Sequence, residues 1–363
     1  MKNAHRIWKI FSLVGVGFAL AALGLVLLAA QPAQAPAPAV SSVARAPIRG
    51  VYLPANVAAH SAKLQEITKN ARRVGFNALV IDVKDNHGLV YYDTKISLTQ
   101  KIGAQRPILK LNALLPQLKA QGFYLIARHV LFYDPKLAKS IGALTPGPSP
   151  VRQDGRGVAA GRGEGLVWVS PADERVQQYN LALAEEVTTL GFDEIQFDYV
   201  RWPDGGAYQP IYAERYAAIE RFLQRAHGQL HKKIALSADV FGRALWPWNL
   251  KKIDPIGQHL ETFQRYVNVL SPMIYPSHYE TEALRADPYG TIKKALSSGQ
   301  KRGLSLRPFL QAFEMRIPAT MTYVDYIRAQ VRAAHEVGIT SYLFWNPRGD
   351  YTGLWQALTG WNP

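Results

Sequence analysis

Short apolar runs alternate with helix-like segments along most of this chain. Eight runs read as strands: Gly50–Leu53, Ala78–Val83, Tyr124–Val130, Glu194–Val200, Ile234–Val240, Val267–Tyr275, Arg307–Phe313 and Ser341–Trp345. Between them apolar residues recur at spacings of three and four, as in Leu64, Ile67, Ala71 and Val74, or Tyr323, Ile327, Val331 and Ala334. Such spacing draws one apolar stripe along a helix. One boundary is repeated at Gly75-Phe76, Gly122-Phe123, Gly191-Phe192 and Gly338-Ile339, where glycine stops a helix and an apolar residue opens the next strand. Strand and helix alternating eight times predict a (β/α)8 TIM barrel over residues 48–361. No GxGxxG or Walker loop is present, which removes the usual signature of an open nucleotide-binding sheet.

The N-terminus follows another pattern. Lys2, Arg6 and Lys9 precede an apolar run from Ile10 to Ala30, and small-residue triplets follow at Ala33-Gln34-Ala35 and Ala37-Pro38-Ala39. Residues 1–31 therefore read as a signal peptide or a signal anchor, the run at 10–30 being long enough to hold the chain in a membrane. Either fate carries the remainder out of the cytoplasm, to a secreted, periplasmic or membrane-anchored location. Residues 32–47 form an Ala/Pro-rich linker, and the Gly-, Arg- and Pro-rich stretch 145–165 interrupts the barrel as a low-complexity insertion.

Composition narrows the chemistry. With 363 residues and 48% hydrophobic content the chain can bury a large core, and with no cysteine it has neither disulfides nor thiolate chemistry. The net charge of +15 is spread in ones and twos, as at Arg72-Arg73, Lys232-Lys233 and Lys251-Lys252. That is a basic solvated surface, and no nucleic-acid partner is expected.

Polar exceptions to the apolar strands gather at their C-terminal ends, the face on which barrel enzymes carry their sites. They are Asp82 and Lys84, Arg128 and His129, Asp198 and Arg201, Ser237 and Asp239, Ser271, Tyr275 and His278, Gln311, and Trp345 with Asn346. Period-two phasing sets Gln196 and Asp198 on one face of the fourth strand, and Ala235, Ser237 and Asp239 on one face of the fifth. The two aspartates should therefore converge above the barrel mouth. A pair of carboxylates, one ionised and one protonated, is what glycosidic hydrolysis requires. The structural alternative is an Asp/Arg network with Arg128 and Arg201. Glu314 is a rival to Asp239 as the acid, although Gln311 has the opposite phase. Asp82, in phase with Lys84, either receives a sugar hydroxyl or pairs with that lysine. Tyr199, Trp202, Trp246, Trp248, Tyr275, Tyr279 and Trp345 lie at or past strand ends, where aromatic faces stack on sugar rings. Expected substrate contacts are Asp82, Arg128, Arg201, Trp202, Tyr275, His278, Gln311 and Trp345. No HExxH, His-x-His or Gly-x-Ser-x-Gly occurs, so zinc and serine hydrolysis are not indicated and neither metal nor cofactor is implied.

Five motifs, RGVYLP from Arg49, FDYVRWP from Phe197, SADVFG from Ser237, SPMIYPSHY from Ser271 and FLQAFE from Phe309, together resemble a bacterial glycoside hydrolase domain family, once a domain of unknown function. The resemblance runs from Arg49 to the C-terminus. It implies a TIM barrel related to alpha-amylase-like and other glycosidase barrels, with Asp198 at the position of the fourth-strand catalytic aspartate. In alpha-amylase-like barrels the fifth strand supplies the acid, usually Glu, and here Asp239 stands in that place. The expected protein is a glycoside hydrolase acting on a polysaccharide or oligosaccharide outside the cytoplasm. A catalytically silent glycan-binding barrel in envelope assembly is the alternative; it would keep the aromatic residues without needing both aspartates.

Overall fold

All eight expected strands form, and they close on one another. In the computed structural model they are β1 Arg49–Leu53, β2 Ala78–Lys84, β3 Tyr124–Val130, β4 Glu194–Asp198, β5 Ala235–Phe241, β6 Val269–Met273, β7 Phe309–Gln311 and β8 Tyr342–Trp345. Each pairs in parallel with its sequence neighbours, and β8 pairs with β1, giving a closed barrel. The structure describes residues 46–142, 167–204 and 212–363, all within the unit Ala44–Pro363. The expected signal or anchor at 1–31, nearly all of the 32–47 linker and the 145–165 insertion lie outside the described residues. Among those described, no helix is long and apolar enough to cross a membrane.

Alternation along each strand divides two packing regions. Val51, Leu53, Leu79, Ile81, Leu125, Ala127, Ile195 and Phe197 point outward and share one core with helix residues such as Leu64, Ile67, Phe222 and Ile327. Tyr52, Ala78, Val80, Ile126, Phe309 and Leu343 point inward and fill the barrel. Principal covering helices are Ser61–Arg73, Leu111–Ala120, Glu174–Val187, Tyr212–Leu230, Pro288–Lys301 and Tyr323–Glu336. The glycines at the four repeated boundaries have φ of 76° (Gly75), 80° (Gly122), 103° (Gly191) and 75° (Gly338), the left-handed turn-off that glycine adopts without a side-chain clash.

Two seams depart from the sequence reading. β7 contains only Phe309–Gln311, and it meets β6 at a single register pair, Met273 with Phe309. Pro272 falls at this seam, between Leu270 and Ile274 whose N–H groups donate to the Ser305 and Phe309 carbonyls, and proline has no N–H for the ladder. On β2 the register against β3 shifts between Asp82 and Lys84, which breaks the common phase expected for these two residues. Lys84 instead pairs with Asp134 at 2.8 Å and donates to the Val130 carbonyl at 2.7 Å. No Asp82–Lys84 ion pair forms.

Candidate active site

The inward residues of β4 form a ladder of polar layers. Lowest is Glu194, buried, accepting bonds from Tyr124 (3.1 Å) and Ser237 and paired with the Arg307 guanidinium. Above it the Gln196 amide donates to Ser271 Oγ at 3.0 Å. At the top stands Asp198. Period two along Glu-Ile-Gln-Phe-Asp thus lifts a carboxylate to the barrel mouth on a polar stem, in which Gln196 Oε1 and Arg307 Nε lack a partner among the described residues, while Ile195 and Phe197 anchor the strand outward.

Arg128, one strand away on β3, holds this carboxylate. Its Nε and Nη2 both donate to Asp198 Oδ2, at 2.9 and 2.6 Å, and its Nη1 donates to Asp82 Oδ1 at 2.6 Å. The Tyr52 hydroxyl caps Asp82 Oδ2 at 2.6 Å, and the guanidinium lies 4.9 Å from the centroid of the Trp345 ring, itself stacked on Tyr52. Desolvation opposes the charge on Arg128, but Asp198 and Asp82 outweigh it and hold the guanidinium firmly protonated. One guanidinium serves two carboxylates, so the trio keeps one net negative charge when both are ionised.

Asp239 comes next to that charge. It is 1% exposed, and its Oδ1 has no hydrogen-bond partner among the described residues. Burial, followed by repulsion from Asp198, raises its pKa well above the ordinary carboxylate value. The two aspartates therefore differ in kind: Asp198 is paired with Arg128, whereas Asp239 has no ion-pair partner among the described residues and its surroundings favour the protonated form. Both line a cavity of about 380 Å³ walled by Tyr199, Arg201, Tyr275, Phe309 and Trp345 among others. The buried Tyr275 hydroxyl also lacks a partner among the described residues.

The chain leaves β4 through a strained turn. Tyr199 has φ of 50°, uncommon for a residue with a side chain, and its N–H donates to Asp198 Oδ1 at 2.6 Å. The next turn delivers Arg201 with its guanidinium carbon 4.6 Å from the Trp168 ring centroid, 5.3 Å from that of Tyr199 and 4.6 Å from that of Phe241. It makes no salt bridge with a carboxylate among the described residues, so of the expected Asp/Arg network only the Arg128 half forms.

Of the expected contact residues, Arg128, Arg201, Tyr275, His278 and Trp345 line the cavity, and three lie elsewhere. Asp82 is buried, bonded to Arg128 and Tyr52 and absent from the cavity lining, so it steadies the arginine and does not reach a sugar hydroxyl there. Trp202 gives its indole N–H to the Arg215 carbonyl at 3.2 Å and packs into the outer core. Gln311 is saturated, its amide donating to the Phe313 and Met315 carbonyls and its oxygen accepting from Tyr326 and the Ser277 N–H. Glu314 is exposed beyond the end of β7 and does not line the cavity. His129 faces outward to Asn180, and burial together with Lys84 lowers its pKa to about 3. Trp246 and Trp248 also lie away from the cavity lining.

Other wall residues were not anticipated: Asp204 and Arg243, paired at 2.7 Å, with Phe241, Met273 and Phe309. Below them, the Glu194–Arg307 pair was foreshadowed by the phase Glu194 shares with Gln196 and Asp198, but nothing local pointed to its arginine, which is 113 positions away. Among the described residues no group of three or more His, Cys, Asp or Glu side chains is arranged to hold a metal ion.

A parallel barrel opening at its C-terminal face onto two unlike aspartates in an aromatic-walled cavity defines a glycosidase-type barrel enzyme. Over residues 50–351 the chain matches the family described as "putative glycosyl hydrolase domain", and it belongs to that family. Among solved structures it shares its fold with the glycoside hydrolase domain of PgaB (BpsB) from Bordetella bronchiseptica, at a TM-score of 0.64 and 13% identity over 86% of this chain and 99% of that one. A class V chitinase from Pseudomonas fluorescens Pf-5 gives a TM-score of 0.53 at 13% identity, covering 86% and 98%. The endo-β-1,4-mannanase of Thermotoga petrophila gives 0.53 at 12%, covering 86% and 76%. These similarities are of fold. No curated protein matches the sequence.

Proposed function

We propose that the protein hydrolyses glycosidic bonds in an extracytoplasmic polysaccharide or oligosaccharide, with Asp239 as general acid and Asp198 as nucleophile or base. The observation that carries this reading is the asymmetry of the two aspartates. Asp239 is buried and unpartnered at Oδ1 beside a charged trio, and so keeps a proton to give to the leaving oxygen. Asp198 is gripped by Arg128 and its own turn, which keeps its charge aimed at the cavity. As the glycosidic bond breaks, the Asp239 proton passes to the departing oxygen while Asp198 either attacks the anomeric carbon or takes a proton from the attacking water. Tyr275 and Trp345 offer faces for a sugar ring. The basic-then-apolar N-terminus supports export, and the chitinase and mannanase among the fold neighbours favour a polysaccharide.

The test is a screen of purified protein from residue 46 onward against a glycan panel, with product analysis, for wild type, Asp198→Asn and Asp239→Asn. Each substitution should abolish turnover while sparing binding. Unchanged hydrolysis in both variants would sink the mechanism. Binding without turnover in the wild type would favour the silent glycan-binding barrel.

A further inference from the structure

A second hollow, of about 880 Å³, adjoins the carboxylate cavity and shares two of its wall residues, His278 and Tyr279. Its far wall is built by Glu282 and Arg285 on one side and by Arg316 and Ala319 on the other. Each hollow is of the size that encloses a small organic ligand, and the two meet at His278 and Tyr279.

The dividing wall carries costs that serve no evident purpose within the fold. The Tyr279 hydroxyl is buried with no hydrogen-bond partner among the described residues, at about 1–3 kcal/mol for such a group. It lies against Gly242, where an added Cβ would come 3.0 Å from this hydroxyl and 2.6 Å from the Met273 carbonyl. Arg316, on the far wall, holds φ of 50°, at about 1–2 kcal/mol for a residue with a Cβ. Its single hydrogen bond among the described residues is a long one, from Nη1 to the Ser277 carbonyl at 3.3 Å. His278 uses Nδ1 against Ser277 Oγ at 2.9 Å, which leaves Nε2 open at the junction. Partial burial and the nearby Arg316 lower the pKa of this imidazole, whose open Nε2 can exchange a hydrogen bond with a hydroxyl. Unspent polar atoms and strained backbone around one hollow are the marks of a ligand clamp.

We propose that the substrate is a chain of several sugar units that runs from the carboxylate cavity over the His278–Tyr279 wall into the second hollow, where Arg316 meets its distal units. This rests on the glycosidase reading and adds to it a requirement for chain length. A monosaccharide glycoside would occupy only the first hollow, whereas a longer chain would satisfy Tyr279 and Arg316 as well.

The experiment uses gluco-, chito- and manno-oligosaccharide ladders, dimer to octamer, and measures kcat/KM for hydrolysis and, on Asp198→Asn protein, affinity. For the ladder that is turned over, kcat/KM should rise about tenfold for each well-made bond gained in the second hollow, then level off. Ala319→Trp, which fills that hollow from an exposed position, should bring the hexamer-to-dimer ratio of kcat/KM toward one. Arg316→Gly should lower the same ratio while raising the melting temperature, because glycine relieves the left-handed backbone; a lost ratio then cannot be ascribed to unfolding. A ratio near one in the wild type, or one unaffected by both substitutions, overturns the proposal and leaves the glycosidase reading intact. Failure of every ladder to bind or react at any length overturns both.

Discussion

Asp239→Asn isolates the proton of the proposed acid with little other disturbance. The side chain is 1% exposed, its Oδ1 has no partner among the described residues, and Gln258 reaches only its main-chain oxygen at 3.3 Å. Removing the acid should therefore cost little structure. A positioned general acid contributes about 10²–10⁴ in rate, or about 3–5 kcal/mol of barrier. Turnover of an oligosaccharide should fall by that factor, while a dinitrophenyl glycoside, whose leaving group needs no proton, should lose far less. Equal loss on both substrates would refute the acid role. Stability supplies an independent check. Burial and Asp198 raise the Asp239 pKa above its ordinary 3.8, so the folded protein keeps a proton that the unfolded chain releases. Wild-type stability should then decline by up to about 1.4 kcal/mol per pH unit as pH climbs from the ordinary value toward the raised one. Asparagine has no such dependence, and the variant's advantage in melting temperature should widen with pH across that window. A gap that narrowed instead would mean the carboxyl is ionised in the fold.

Three further outcomes follow from the buried charges and the barrel wall. Arg307→Met strands Glu194 and should cost about 3–5 kcal/mol in urea denaturation, whereas the double variant with Glu194→Gln should recover much of it; additive losses would mean the two do not act as a pair. Arg128→Met deprives Asp198 and Asp82 of their shared cation, with a loss of similar size that should shrink as pH falls and the stranded carboxylates take protons. Gly50→Ala places a Cβ 2.1 Å from the Ala78 carbonyl on the next strand, a backbone clash worth at least about 1–3 kcal/mol; a melting temperature equal to wild type would show that β1 can move away.

The barrel was legible because its signals are local. Apolar runs, helix-period stripes such as Leu64, Ile67 and Ala71, and glycines at the helix stops are each set within a few residues, and the strands fell where these placed them. Phase was equally local, which is why Asp198 and Asp239 reach one cavity. It failed where backbone regularity failed: the shift after Asp82 turned Lys84 toward Asp134, and β7 stopped at Gln311, whose side chain then bonded the loop beyond it.

Sequence alone determined the eightfold alternation, the apolar N-terminal run and the clustering of polar residues at strand ends, because each is written in neighbouring residues. Only the tertiary structure decided which of those polar residues are spent on one another. Arg128 could have met any carboxylate near the mouth; barrel closure brought it to Asp82 and Asp198 and left Asp239 without a counter-ion of its own. Whether a buried group is charged depends on what surrounds it in three dimensions, and residues scattered between positions 52 and 345 supply those surroundings.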